Sequence, residues 1–176
     1  MTKNWNIIPA NESDIPGLVE LINDSYRGAL SLKGWTSESH LLAGVRTTQD
    51  QLRELMVIPN ASFFKYEEEF NKPLASVYLE IESDSLYLGM LTVNPELQGR
   101  GIGKALLDFA YHYGFIHQLT RVYISVLSPR IELIEWYERN GYIQTGERKE
   151  FLGDGKHYIP KVPLELIYME KRIIYS

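Results

Sequence analysis

Seven consecutive residues, Gln98-Gly99-Arg100-Gly101-Ile102-Gly103-Lys104, hold the densest chemical potential in the chain, with three glycines in five positions and two cations. An apolar run ending in Leu91-Thr92-Val93-Asn94-Pro95 leads in, and an amphipathic segment leads out. Strand, glycine loop and helix start together present backbone N–H groups to an anion. The glycines permit close approach and dihedrals that other residues avoid. The helix N-terminus adds roughly half a positive charge. The stretch therefore reads as a pyrophosphate cradle. It is not a dinucleotide fingerprint, which needs G-x-G-x-x-G, because position 104 is Lys. It is not a P-loop either, because position 98 is Gln and position 105 is Ala.

The elements that must hold this loop follow from periodicity. Trp5–Pro9 reads as an edge strand. Asn11–Asp14 supplies caps for a helix whose inner face is Ile15, Leu18, Val19, Ile22 and Tyr26. Gly28 and Gly34 frame a loop, and Thr36 or Ser37 is placed to cap a second helix carrying Leu41, Leu42 and Val45. A third helical stretch runs from Thr48 to Val57. Strands are expected over Ser62–Glu67 and, after a turn at Asn71–Pro73, over Ala75–Glu82, where apolar and polar residues alternate. Leu86–Val93 is nearly all apolar, as a strand covered on both faces should be. After the glycine loop, Ile102, Ala105, Leu106, Phe109, Ala110 and Tyr113 share a helical face, and Arg121–Leu127 is a further buried strand. That strand–helix–strand order predicts a right-handed crossover with parallel pairing. A helix from Ser128 to Asn140, a strand over Tyr142–Glu147, a Gly/Pro-bearing loop from Phe151 to Pro163 and a strand over Leu164–Lys171 complete the chain.

Bulk properties set the frame. The 176 residues suit one domain, spanning 1–176, with a sizeable core. A net charge of −5 argues against general nucleic-acid affinity, so any anion site is local. The absence of cysteine removes thiolate metal sites and a cysteine nucleophile, and it suits a reducing cytoplasm. Met1–Asn6 lacks the apolar core of a signal peptide, and no apolar run approaches the ~20 residues of a membrane span.

Gln-x-x-Gly-x-Gly after an apolar-x-Val-x-Pro strand end resembles the acetyl-CoA-binding motif of the GNAT superfamily of N-acetyltransferases. The segment Trp136-Tyr137-Glu138-Arg139-Asn140-Gly141-Tyr142 is similar to the same family's second signature. The resemblance covers nearly the whole chain, but its specific motifs lie between Leu86 and Glu147. It implies an α/β fold: a mixed, mostly antiparallel sheet of six or seven strands, with helices on both faces and a splay between the fourth and fifth strands. It implies acetyl-CoA as cosubstrate, no metal, and a primary amine as acceptor, on a small molecule, a peptide N-terminus or a lysine. A CoA-binding sensor without turnover is the alternative, and a homodimer is compatible with the family.

Residue by residue, the resemblance gives Gln98–Lys104 the pyrophosphate, with Arg100 and Lys104 as nearby cations or as solvated first-turn residues. It gives the backbone of Leu91, Thr92 and Val93 the pantetheine and the thioester carbonyl. It carries onto Tyr137 the role of acid to the departing thiolate. A phenol of ordinary pKa near 10 facing a thiol near 8.5 is suited to that, while Tyr137 also fits a buried stripe with Leu133. The family often has Asn where this chain has Arg130, whose cation is free to meet a CoA phosphate, Glu132 or Glu135. No carboxylate lies on Leu86–Val93, so Glu80 and Glu82 on the preceding strand are the nearest candidates for a base acting through water, or else solvated strand residues. Tyr26, Trp35 and Glu38 are candidates for the acceptor pocket, with Glu38 drawing a cationic amine. The four histidines form no metal or triad spacing.

Overall fold

Strands β1 (Ile7–Pro9), β3 (Ala61–Glu67), β4 (Pro73–Glu82), β5 (Ser85–Val93), β6 (Arg121–Leu127), β9 (Leu164–Arg172) and β7 (Ile143–Phe151) lie side by side in that order in one seven-stranded sheet. The computed structural model describes residues 6–68 and 72–175. Trp5 of the expected first strand and Asn71 of the expected turn fall outside them. The β5–β6 pair is parallel and the other five are antiparallel.

Helices α1 (Ile15–Tyr26) and α2 (Gln49–Met56) cover one face, where Ile15, Leu18, Ile22 and Leu52 pack on Phe63 and Tyr78. Helices α3 (Ile102–Ile116) and α4 (Ile131–Arg139) cover the other, where Leu106, Ala110, Ile134 and Tyr137 pack on Phe64, Val77, Leu79 and Leu86. The alternation of Phe63 with Phe64 and of Tyr78 with Leu79 sends neighbours to opposite faces, as strand geometry requires. Each leucine with no exposed surface, such as Leu18 and Leu106, stabilises the fold by roughly 1.5–3 kcal/mol. The α2 start is set by a reciprocal cap: the Gln51 N–H donates to Thr48 Oγ1 at 3.2 Å, and the Thr48 N–H donates to Gln51 Oε1 at 3.0 Å.

One expected element is absent. Thr36–Val45 forms no helix; it runs through a turn into strand β2 (Leu42–Ala43), paired with β8 (Ile159–Pro160). The serine hydroxyls explain part of this. Ser31, Ser37 and Ser39 Oγ atoms bond one another at 2.8 and 3.0 Å, offering the segment an alternative to helical bonds. Gly44 sits at φ +88, and Leu41 and Leu42 are held by Leu127 and Leu164. Strand β7 also continues four residues past its expected end, and the late loop contains β8.

Candidate active site

The glycine loop is built by two different demands. Gly99 and Gly101 have φ of +79 and +87, and a Cβ at either would meet nothing within 4 Å, so conformation rather than space requires glycine. At Gly103 the reason is space: a Cβ would lie 3.2 Å from Trp136 Cζ2. Gly101 caps α3 without a side-chain bond, and Ala105 is the first residue to bond back, to the Gly101 carbonyl at 3.0 Å. The N–H groups of Ile102, Gly103 and Lys104 thus have no intrahelical acceptor. Gln98 anchors the loop by donating from Nε2 to Thr36 Oγ1 at 2.8 Å and accepting from the Trp35 N–H at 3.0 Å. Arg100 is exposed, and Lys104 forms an exposed ion pair with Asp108 at 2.5 Å.

The sheet opens next to this loop. Strands β5 and β6 pair only from Ser85–Tyr87 with Arg121–Tyr123, although both strands continue beyond. A bulge drives β5 away: Ser76 faces Thr92 but Tyr78 faces Gly89, so β5 has one residue in excess, and Met90 takes φ +46. The β6-side edge of Leu91, Thr92 and Val93 pairs with no strand among the described residues. The Tyr26 hydroxyl donates to the Leu91 carbonyl at 2.8 Å, and Thr92 Oγ1 donates to the Met90 carbonyl at 2.8 Å.

Two cavities flank the splay. A groove of about 590 Å³ is lined by Leu91–Val93, Gln98, Gly99, Gly101–Lys104, Trp35, Trp136 and Arg139. A cavity of about 300 Å³ is lined by Arg27, Glu38, Arg46, Met90, Ser125 and Tyr158, among others. Tyr26, Leu91, Arg130, Leu133 and Tyr137 line both and form the wall between them. Tyr137 is buried, with its ring 5.0 Å from Trp136 and 5.5 Å from Tyr142. Its hydroxyl has no hydrogen-bond partner among the described residues. Burial pushes this phenol well above its usual pKa, and neighbouring Tyr26 adds to the shift.

The remaining sequence candidates divide. Arg130 meets neither Glu132 nor Glu135; its buried guanidinium pairs with Glu38 at 3.1 Å and donates to the Thr36 carbonyl at 2.7 Å. Glu38 also pairs with Arg27 at 3.5 Å, so the structure commits it to two cations. Trp35 lies 6.1 Å from Trp136 on the groove side, away from the smaller cavity. Glu80 accepts from the Tyr78 hydroxyl at 2.7 Å and lines neither cavity. Sequence reading missed Arg46 and Arg139. Arg139 was the legible one, three residues after Trp136 on the same helix face. Arg46 meets Tyr158 across 112 positions of sequence and left no local signal of its own.

An unpaired strand edge, an uncapped helix start and a buried phenol on the wall between two cavities fit an acyl donor with a phosphorylated tail. The open space at Gly99 and Gly101 and the N–H groups of Ile102–Lys104, which have no intrahelical acceptor, suit such a tail. The chain belongs to the acetyltransferase (GNAT) family, whose model matches residues 18–142, and it is an acyltransferase of that family, which uses acetyl-CoA as cosubstrate. Solved structures agree on the fold. The ribosomal-protein-S18-alanine N-acetyltransferase from Escherichia coli is 15% identical, with a TM-score of 0.70 over 98% of this chain and 96% of that one. A spermidine N-acetyltransferase chimera from Vibrio cholerae and hSSAT is 19% identical, with a TM-score of 0.65 over 96% of this chain and 94% of that one. A protein from Streptococcus mutans UA159 is 19% identical, with a TM-score of 0.69 over 96% and 99%. No helix among the described residues is long and apolar enough to cross a membrane. No cluster of three His, Cys, Asp or Glu among them is arranged to hold a metal.

Proposed function

We propose that this chain transfers the acetyl group of acetyl-CoA directly to a primary amine in the cytoplasm, with Tyr137 as general acid. The observation that carries this reading is the position of Tyr137 on the wall shared by the groove and the cavity. The donor would lie in the groove and the amine in the cavity. Ile102–Lys104 N–H groups would hold the pyrophosphate, and the unpaired edge of Leu91–Val93 would hold the amide chain as an added strand does. Bound acetyl-CoA supplies an acyl carbon activated by its thioester. An N–H of that same edge steadies the acyl oxygen as charge develops on it. Tyr137 holds a proton at Oη for the departing sulfur, and desolvation keeps that proton in place until it is needed.

The test is free thiol release from acetyl-CoA over chemically diverse amines, run beside thermal stability with and without acetyl-CoA. Tyr137→Phe is expected to lower kcat by about 10²–10⁴ while leaving stabilisation by acetyl-CoA in place. Unchanged turnover in that variant removes Tyr137 from the acid role. Stabilisation without turnover on any amine makes the chain a CoA sensor instead.

A further inference from the structure

The smaller cavity is cationic. Three guanidinium groups, Arg27, Arg46 and Arg130, line it against one carboxylate, Glu38, which leaves two positive charges; its other ionisable side chains are tyrosines. Two of the arginines are already employed. Arg27 donates to the carbonyls of Val45 at 3.0 Å and His157 at 2.7 Å, and it pairs with Glu38. Arg130 is held by Glu38 and Thr36. Arg46 is different. Its only side-chain bond among the described residues is from Nη1 to the Tyr158 hydroxyl at 3.1 Å, and no carboxylate there lies within ion-pair distance of it. Its guanidinium stands over the Tyr26 ring at 5.3 Å and the Tyr158 ring at 5.6 Å, which fixes its plane and leaves donors over for a guest. A planar fork of that kind matches a carboxylate or phosphate in two-point contact.

We propose that the acceptor is a small amine that also carries an anionic group, a carboxylate foremost, and that Arg46 binds that group. This rests on the amine acetylation proposed above. Like charge in the cavity disfavours an ammonium and so favours the free amine that attacks. That supplies a physical route to a nucleophilic amine where no unpaired carboxylate is at hand. It also turns away polyamines, whose charges would add to those of the arginines.

The experiment measures thiol release, with calorimetric binding to the CoA-loaded protein, for the protein α-amino acids against their carboxamides, with 2-aminoethyl phosphate and spermidine alongside. The best acid should exceed its carboxamide by 10-fold or more in kcat/KM, and spermidine should fall below both. Arg46→Met should raise KM for the acid by about 10- to 100-fold, at least halving the logarithm of the acid-over-amide ratio, and Arg46→Lys should restore part of it. Preference for 2-aminoethyl phosphate, lost in the same variant, supports the anion site and identifies phosphate as its guest. Turnover in which carboxamides or spermidine equal the acids overturns the inference and leaves the acetyltransferase reading standing. Failure of every acid and of the phosphate both to bind and to turn over also overturns it. Absence of any thiol release and of any stabilisation by acetyl-CoA removes the acetyltransferase reading itself.

Discussion

The Tyr26 hydroxyl donates to the Leu91 carbonyl at 2.8 Å, tying the last turn of α1 to β5 where that strand leaves β6. The bond gives the Leu91 carbonyl a partner. Tyr26→Phe removes it and should cost about 1 kcal/mol, the net value of one intramolecular hydrogen bond. In a chain of this size that is a fall of roughly 2–4 °C in Tm. Because Leu91 lines both cavities, KM should rise for both substrates. A rise for neither, with Tm lowered, would show that the splay holds its shape without this bond.

The proton on Tyr137 sets the alkaline behaviour. Burial lifts its pKa well above 10, and a general acid works only while protonated. The active form therefore persists as pH rises through 10, whereas an unshifted phenol would be half lost there. The pH profile of kcat should climb as the amine deprotonates and then stay level to pH 10. A descending limb centred below pH 10 in the wild type, absent in Tyr137→Phe, would show that the phenol titrates where burial says it does not.

Gly101 is required by its backbone, at φ +87 with free space where a Cβ would point. Gly101→Ala forces a left-handed conformation costing about 1–2 kcal/mol, and relaxing it turns the first N–H groups of α3. KM for acetyl-CoA should rise by about tenfold or more, the equivalent of 1.4 kcal/mol, with kcat at saturation less affected. Steady-state kinetics with varied acetyl-CoA decide it, and an unchanged KM would mean that the loop does not hold the cofactor tail.

The stretch proposed to hold the donor was legible in sequence as a strand, glycine loop and helix start because it is local. Gln98–Lys104 and the strand before it are contiguous, and their spacing dictates strand, turn and helix start. Tyr137 was singled out by its motif, and its side chain lies on the wall between the two cavities. The lining of the smaller cavity was legible only in part, as at Tyr26 and Glu38, because it is assembled from distant pieces: Arg46 meets Tyr158, and Arg130 meets Glu38 across 92 positions. The expected helix over Thr36–Val45 failed for a related reason. Its apolar spacing suited a helix, but Glu38 is held by Arg27 and Arg130, and Leu42 is tied into the pairing with Pro160. Tertiary contacts outweighed a weak local preference.

Glu38 is paired with two arginines, Arg27 at 3.5 Å and Arg130 at 3.1 Å, instead of standing alone in the cavity wall. Its side chain and those of Arg27 and Arg130 are all less than one-tenth exposed. Glu38→Gln leaves two buried guanidinium groups without a carboxylate, which should destabilise the fold by about 3–5 kcal/mol. Urea denaturation at neutral pH measures this directly. A loss below about 1 kcal/mol, the range of exposed pairs, would show that water reaches the pair and screens it.

Asp154 ties the late loop together. Its Oδ1 accepts from the N–H groups of Tyr158 and His157 at 2.7 Å and Lys156 at 2.9 Å. The Tyr158 bond foremost, with the others, keeps this carboxyl far below the usual carboxylate range. With a depressed pKa, the stabilisation is complete above the ordinary carboxylate pKa of about 3.9 and is lost only as pH falls through the lowered value. Between pH 5 and 8 the loop should therefore show no dependence on this group. Tyr158 in turn bonds Arg46 twice, accepting from Nη1 at 3.1 Å and donating to the Arg46 carbonyl at 3.0 Å. Asp154→Ala should consequently raise KM for the acceptor by several-fold and leave KM for acetyl-CoA unchanged. Gly153→Ala should act in the same direction, since a Cβ there would come 2.0 Å from the Tyr158 carbonyl. If either variant weakens acetyl-CoA and the acceptor equally, the loop does not act through Tyr158 and Arg46.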